Sequence, residues 1–421
     1  MVEIKILSGL NSIGGNFIRI EDGDRTLIFD QGFRFDVMAH YYSGLISPMG
    51  LTELRDVGAL PPPDWYKDAD AVYITHMHLD HLGALSNIPI EARVSLPNLS
   101  FYEDMEERWR GSPSWLSLVP RRYYTEMEEL KPLEVDENDV TAIPVSHSAY
   151  PSYALLYQGS DETVLYTGDF RIESYLKQEE FQKFRGGPDL LTYLGENPDI
   201  RIDTLIIEGT NIGSNRAPLL PEDTTEILRR LASSHRPIIA TLHKLDFEYA
   251  YSLLKLAEDF DLECLLISPW TVKLLEGFHG LRRELKVVEG YVKIPTRLGK
   301  VNIEDIREKS IILTPYRETV DFLRELRSRD PNIGNPVAVL SEPEPEGEEH
   351  IEYGVMANWF ARLGIQHYRI HASGHYYPYQ LREVVEAIKP KEIKPIHTLR
   401  PELLIRMATV ISGVERRREH N

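Results

Sequence analysis

Apolar and polar positions along the chain fall into two textures. Over residues 1 to 35, short apolar runs are cut by turn residues: VEIKIL, then Gly14-Gly15, NFIRIED, a Gly23-Asp24 turn, and RTLIFDQGF. That punctuation predicts antiparallel strands, with Asp30 and Gly32 at a strand end. Residues 41 to 70 carry no period, and Pro61-Pro62-Pro63 breaks any helix before the next strand. Buried-type strands then recur in AVYIT (71–75), DVTAIPVSHSAY, ETVLYTGDFRI and DTLIIEGTNIG. From about 222 to 360 the pattern becomes TEILRRLASS, RPIIATL, EYAYSLLKLAEDF, ECLLISP, KSIILTP, TVDFLRELRSR and PVAVLSE. Strand-length apolar runs alternating with helical periods predict βα units and a parallel sheet. The last part, from QHYRIHASGH onward, returns to the first texture, with a helix predicted to begin directly after Ser373-Gly374-His375. The fold class is α/β, in layers.

At 421 residues the chain is long enough for two or three domains. Its 42% hydrophobic and 27% charged residues are those of an ordinary globular protein. Cys264 is the only cysteine, so no internal disulfide exists and a reducing compartment is expected. The amino terminus reads as no targeting leader, and no apolar run approaches the ~20 residues of a membrane span. These features predict a cytoplasmic protein with no membrane association, and they leave a homo-oligomer open. A formal charge of −19 argues against non-specific coating of nucleic acid. It leaves room for a nucleic-acid enzyme, because metal ions and a local basic cleft can outweigh the global balance. Over 101–124, Arg108, Arg110, Arg121 and Arg122 are interleaved with Trp109, Trp115, Tyr123 and Tyr124, a mixture that can stack bases and hold phosphates. A solvated helix pair with a small apolar seam explains it equally well. The acidic EPEPEGEE over 342–349 reads as solvated surface, and the ERRREHN tail as frayed.

The chemistry sits where strands stop. THMHLDH places His76, His78, Asp80 and His81 after an apolar run, a spacing expected by chance in roughly one chain in a thousand. Side chains two apart can converge on one ion, whereas Asp80 and His81 are adjacent and point apart in extended backbone. His147 and Asp169 follow two further strands, Asp169 behind Thr167-Gly168, and Glu208 follows a third. His371, His375 and His397 stand at later strand ends. Asp30 reads as a hydrogen-bonded structural carboxylate, since no histidine lies nearby in sequence. His76, His78 and His147 suit one zinc; Asp80, His81 and His397 suit a second; Asp169 can bridge both. Nitrogen and oxygen donors without a thiolate fit Zn²⁺, and also Mn²⁺ or Fe²⁺. Such a pair supports hydrolysis, and no phosphate loop, dinucleotide fingerprint or serine triad pattern competes with it.

THMHLDH, His147, TGDF with Asp169 and the histidine of PIHT together resemble the metallo-β-lactamase fold. Glu208 in IIEGTN, HASGH with His375, and His397 resemble the three added motifs of the β-CASP group of nucleic-acid hydrolases, and the HxSGH form is most similar to RNase J-type enzymes. The resemblance implies an αββα metallo-β-lactamase sandwich from residues 1–208 and 366–421, interrupted by an inserted α/β β-CASP domain over 209–365 that caps the site. It implies a zinc-dependent ribonuclease acting on single-stranded RNA, 5′ to 3′ exonuclease with endonuclease activity as a second mode, and two zinc ions as cofactor. Asp80, Glu208 and His375 would be catalytic, with Glu208 and His375 a hydrogen-bonded pair near the leaving oxygen. Ser373 and His375, at the predicted helix start, would bind a terminal phosphate, and His371 would lie behind the ligands. Where RNase J-type enzymes carry an Asn and an Arg after the strand ending near Thr241, this chain reads TLHKLDFEY. A glycine-containing turn is replaced by LTPYRE, and small residues after HASGH by Tyr376-Tyr377, whose bulk would close the phosphate pocket and leave only internal cleavage. The alternatives are a DNA nuclease of the Artemis-like branch, a hydrolase of a small ester or phosphodiester, and a non-catalytic subunit. The last fits poorly with a chain that keeps all seven metal positions.

Overall fold

The computed structural model describes all residues except 43–45, 90, 104–125, 216, 235, 277–284, 307, 330–335, 343–348 and 413–421. The arginine-aromatic segment from residue 104 on, most of the acidic loop and the tail therefore lie outside the described residues. The chain divides into two compact units, residues 1–172, 177–216 and 374–421 in the first and 173–176 and 217–373 in the second. The sequence placed these divisions at 208/209 and 365/366.

In unit 1, a six-stranded sheet runs in the order β1 (Val2–Ser8), β2 (Phe17–Asp22), β3 (Arg25–Phe29), β4 (Ala71–Tyr73), β5 (Arg93–Leu96), β6 (Met127–Glu129). Its first three strands are antiparallel, as their turns predict, and β3 to β6 are parallel. The second sheet holds β7 (Val140–Pro144), β8 (Tyr153–Gln158), β9 (Thr163–Tyr166), β10 (Thr204–Glu208) and the chain's final strand, β18 (Glu392–Ile396), in the order β18-β10-β9-β8-β7. Here β9, β10 and β18 are mutually parallel, and β7 shares their direction because both its own pairing with β8 and that of β9 are antiparallel.

Alternation along each strand builds the layers. Ile18, Ile20, Leu27, Phe29 and Tyr73 of the first sheet bury against Ala142, Leu155, Tyr157, Tyr166 and Ile206 of the second. The opposite face of the second sheet, with Leu156, Leu165, Leu205 and Ile207, packs on helices Leu190–Glu196, Leu381–Ile388 and Pro401–Ser412. Among the strands sharing one direction, the carboxyl ends of β7, β9, β10 and β18 fall along one sheet edge. That edge receives His147, Asp169, Glu208 and His397.

Unit 2 is a parallel seven-stranded sheet of β11 (Ile238–Thr241), β12 (Glu263–Leu266), β13 (Lys286–Val288), β14 (Gly299–Val301), β15 (Ser310–Thr314), β16 (Val337–Leu340) and β17 (Gln366–Arg369), ordered β14-β13-β12-β15-β11-β16-β17. Ile239, Leu265, Ile312 and Ala338 bury against Phe322, Leu326, Met356 and Phe360 of two helices, Thr319–Arg329 and Glu349–Leu363. The βα pattern of the sequence accounts for this sheet, except for the three-residue strands β13 and β14, too brief to carry a period, and the polar edge strand β17. β17 pairs with β16, so residues 366–369 travel with unit 2. Among the described residues, no helix is long and apolar enough to cross a membrane.

Candidate metal centre

The segment after β4 is short and tightly held. His76 lies three residues past the strand, and His78 precedes a single helical turn, Leu79–Leu82. Because Asp80 and His81 lie on a turning helix and not on extended backbone, neighbours are about 100° apart where a strand would set them at 180°. Their side chains therefore converge instead of pointing apart, with His81 Nε2 3.9 Å from Asp80 Oδ2. Room for this turn comes from glycine. A Cβ on Gly32 would sit 1.6 Å from the Asp80 carbonyl oxygen, and one on Gly14 would sit 2.6 Å from the Asp80 Cβ.

Three overlapping groups result: His76, His78 and His147; Asp80, His81, Asp169 and His397; and His147, Asp169 and His375. Within each, one ligand-type atom per residue lies within 4.8 Å of the others. All seven side chains read from the sequence as metal ligands thus meet in the first two groups, with Asp169 Oδ2 3.1 Å from His81 Nε2 and 3.9 Å from both His76 Nε2 and His147 Nε2. Two of the residues holding this edge, Asp30 and His397, adopt left-handed backbone at φ +58° and +52°, conformations that cost free energy in any residue with a Cβ and persist where packing enforces them.

The imidazoles are oriented from behind. His147 Nδ1 donates to the Gly374 carbonyl at 2.7 Å, and its Nε2 lies 3.1 Å from His78 Nδ1. His81 Nδ1 donates to Asp30 Oδ2 at 2.7 Å. Asp30 also accepts from the Thr75 amide (2.8 Å), the Thr75 hydroxyl (2.9 Å) and the Tyr166 hydroxyl (2.7 Å), itself bonded by Asn16 Nδ2 at 2.9 Å. Asp30 is thus a hydrogen-bonded carboxylate, as read, but its partner is a histidine 51 residues away. The only local signal was its place at a strand end before Gly32. Carboxylate-backed histidines of this kind fix the tautomer and raise the basicity of the other nitrogen.

The residues fit a cation. His76 Nε2, Asp169 Oδ1 and His397 Nδ1 are buried and accept or donate no hydrogen bond, whereas nearly all buried polar atoms are paired. Three such atoms in one cluster mark the places a cation would fill. Burial, helped by neighbouring imidazoles, drives His76 and His147 well below the usual histidine range, and burial pushes His397 down to about 3. These rings are neutral, the form that binds a metal. Burial opposes the Asp169 charge, yet His397, His81 and His375 hold its carboxyl well below the carboxylate range. For His81, burial is outweighed by Asp169, Asp30 and Asp80, so the ring is held protonated. Metal uptake by such a site releases that proton.

Beside the ligands, His375 Nδ1 lies 3.1 Å from Glu208 Oε1 and 3.9 Å from Asp169 Oδ2. Glu208 is fully buried. Burial raises its carboxyl despite His375, while Glu208 and Asp169 raise His375 against the burial of the ring. Both shifts favour a proton held by the pair.

Residues 52–232 match a family model, the beta-lactamase superfamily domain. A protein of unknown function from Enterococcus faecalis V583 superposes with a TM-score of 0.72 over 95% of both chains at 21% identity. The fold is the metallo-β-lactamase fold. In sequence, the chain is 22% identical over 94% of its length to ribonuclease J of Helicobacter pylori strain 26695, and 23% identical over 94% to that of Corynebacterium glutamicum. It spans 56% and 53% of those relatives' own lengths. Within the metallo-β-lactamase fold, two expectations need correction. The helix after HASGH does not begin at His375: a 3-10 turn opens at Pro378 and the α-helix at Leu381, because Tyr377 is extended ahead of a proline that fixes the first turn. Ser373 and His375 therefore lack the helix-start amides expected of an anion site there. Tyr376 and Tyr377 are buried. Tyr376 packs at a tilt against Phe170 inside the helix-facing core, so its bulk is spent inward. In unit 2, Ser373 is buried and His371 Nδ1 faces the Ser341 carbonyl oxygen.

Proposed function

We propose that this chain is a two-metal hydrolase that cleaves RNA phosphodiester bonds, a ribonuclease of the RNase J kind acting 5′ to 3′, with unit 2 as its β-CASP domain. The observation that carries the reading is the double cluster around Asp169, with its three buried, unpartnered ligand atoms and the Glu208–His375 pair against it. The ribonuclease J relatives supply the substrate class. In this reading His76, His78 and His147 hold one zinc, Asp80, His81 and His397 the other, and Asp169 both. The ions would supply Lewis acidity and a water acidic enough to attack at neutral pH. Asp30 and the Gly374 carbonyl keep His81 and His147 in the tautomers that ligate. Asp169, ionised through its neighbours, offsets positive charge at the centre. His375 hands its proton to the leaving oxygen, and Glu208 holds the imidazole for that transfer.

The test is purified chain, loaded with Zn²⁺ or Mn²⁺, against 5′-labelled single-stranded RNA and DNA ending in triphosphate, monophosphate or hydroxyl. Mononucleotide release, fastest from 5′-monophosphate RNA and reduced by orders of magnitude in Asp80→Asn, is expected. Long fragments with no dependence on the 5′ end would replace exonuclease with endonuclease, cleavage confined to DNA would replace RNA, and no cleavage at all would overturn the nuclease reading.

A further inference from the structure

Tyr376 occupies a position where the RNase J-type pattern has a small side chain, and its surroundings tie together three segments of the site. Its amide donates to the Phe170 carbonyl at 2.7 Å, next to Asp169 in the chain. Its hydroxyl donates to the Glu208 carbonyl at 2.8 Å. Its ring packs on Phe170 with centroids 5.2 Å apart. Asn211, three residues past Glu208 and buried, donates from Nδ2 to the carbonyls of both His375 (3.2 Å) and Tyr376 (3.1 Å). The backbone carrying His375 is thereby pinned to the strand end carrying Glu208 from both sides, and to the segment carrying Asp169 through Phe170.

We propose that Tyr376 is a positioning residue for the Glu208–His375 pair: its hydroxyl, with Asn211, sets the separation of the two side chains while taking no part in holding metal. The inference rests on the reading of that pair as the proton-handling element. The physical reason is geometric. The pair spans 3.1 Å between residues 167 apart in the chain, and a hydrogen bond between side chains on a strand end and a separate loop is only as well aligned as the backbones beneath them. A catalytic constellation displaced by a fraction of an ångström loses rate without losing substrate affinity. The ring's contact with Phe170 keeps the loop packed; the hydroxyl is the part that reaches Glu208.

Tyr376→Phe separates these roles, since it retains the packed ring and removes only the hydroxyl. Two metal equivalents and a near-native melting temperature are expected, with kcat lowered about tenfold, the upper end for one neutral hydrogen bond, and KM unchanged. In a Glu208→Gln background the same change should have no further effect on kcat, because the group being positioned is already disabled. A readout without substrate is the Nδ1 resonance of His375 in ¹⁵N-histidine-labelled protein, which should shift in Tyr376→Phe while those of His76 and His147 stay. An unchanged kcat and unchanged His375 resonance, a loss multiplying fully onto Glu208→Gln, or metal loss in step with activity would overturn the proposal. Should Tyr376→Phe fail to fold, Asn211→Ala, which frees the other side of the same pin, is judged on the same readouts. A wild-type chain that cleaves no nucleic acid would defeat the nuclease reading alone, and the resonance of His375 would still decide for or against the brace.

Discussion

Asp30→Asn is the sharpest probe of how the centre is held. Asparagine matches aspartate in shape and tolerates the left-handed backbone at φ +58°, so neither bulk nor strain enters. What changes is the acceptor. Oδ2 takes three donors, from His81, Tyr166 and the Thr75 hydroxyl, and Oδ1 takes the Thr75 amide. An amide group in either place meets an N–H or O–H head on. The less costly orientation keeps the carbonyl toward His81 and abandons the Thr75 amide, which costs about 1–3 kcal/mol as a buried donor left unsatisfied. The bond from His81 Nδ1 then drops from a charge-assisted one, about 1.5–3 kcal/mol, to a neutral one of about 0.5–1.5 kcal/mol. The difference of about 1–1.5 kcal/mol, roughly five- to tenfold in affinity, is felt at the other nitrogen as weaker ligation, at the low end of the ten- to hundredfold losses that follow removal of a ligand's carboxylate partner. Titration of the metal-free protein with Zn²⁺ against a chromophoric chelator should show two equivalents in the wild type. In Asp30→Asn one should weaken by about tenfold while the other, resting on His76, His78 and His147, is retained. Both equivalents binding as in the wild type would refute the claim that Asp30 acts through His81.

Two further outcomes follow from the same structure. Gly32→Ala places a Cβ 1.6 Å from the Asp80 carbonyl oxygen, which also accepts the amides of Gly15 and Asn16; the Asp80–His81 turn must move, with loss of one metal equivalent and about 3 kcal/mol of stability, and retention of both would show that the turn is more pliable than its packing implies. In unit 2, burial raises the Glu342 carboxyl to about 7, beside the Thr241 hydroxyl that donates to it. Because the folded value lies above the unfolded one, the stability it contributes is present below about pH 4.5 and lost as pH rises to about 7. Denaturation at pH 5 and pH 8 should therefore show Glu342→Gln gaining about 2–3 kcal/mol on the wild type, and an equal difference at both pH values would mean that the carboxyl is ordinarily solvated.

The parallel sheet of unit 2 was legible because its central strands β12, β15, β11 and β16 are continuous apolar runs flanked by helical periods. The strand-end chemistry of unit 1 was legible for a related reason: a residue just past a buried strand can belong only to a sheet edge, and polar residues there have few structural reasons to be histidines. His76, His147, Asp169 and His397 needed no knowledge of pairing to be singled out. Asp80 and His81 reach one group, as their assignment to a second ion expects, although extended backbone would turn them apart, because Leu79 begins a helical turn. That turn is permitted by Gly32 and Gly14, which are remote in sequence and close only in space.

Asp30 and Tyr376 show a deeper limit. Locally, the first is a carboxylate without a nearby histidine and the second a bulky ring beside an expected phosphate pocket. The direction of each side chain is set by the sheet pairing and by the extended backbone before Pro378, which residue type alone does not carry. Once Tyr376 faces the core, its bulk fills space between Phe170 and the helix layer and its hydroxyl finds a backbone carbonyl one step from the site. A residue that departs from a family pattern therefore blocks a pocket only if its Cβ points there. Otherwise it alters the support of the residues that do, and the two cases differ in whether substitution changes KM or kcat.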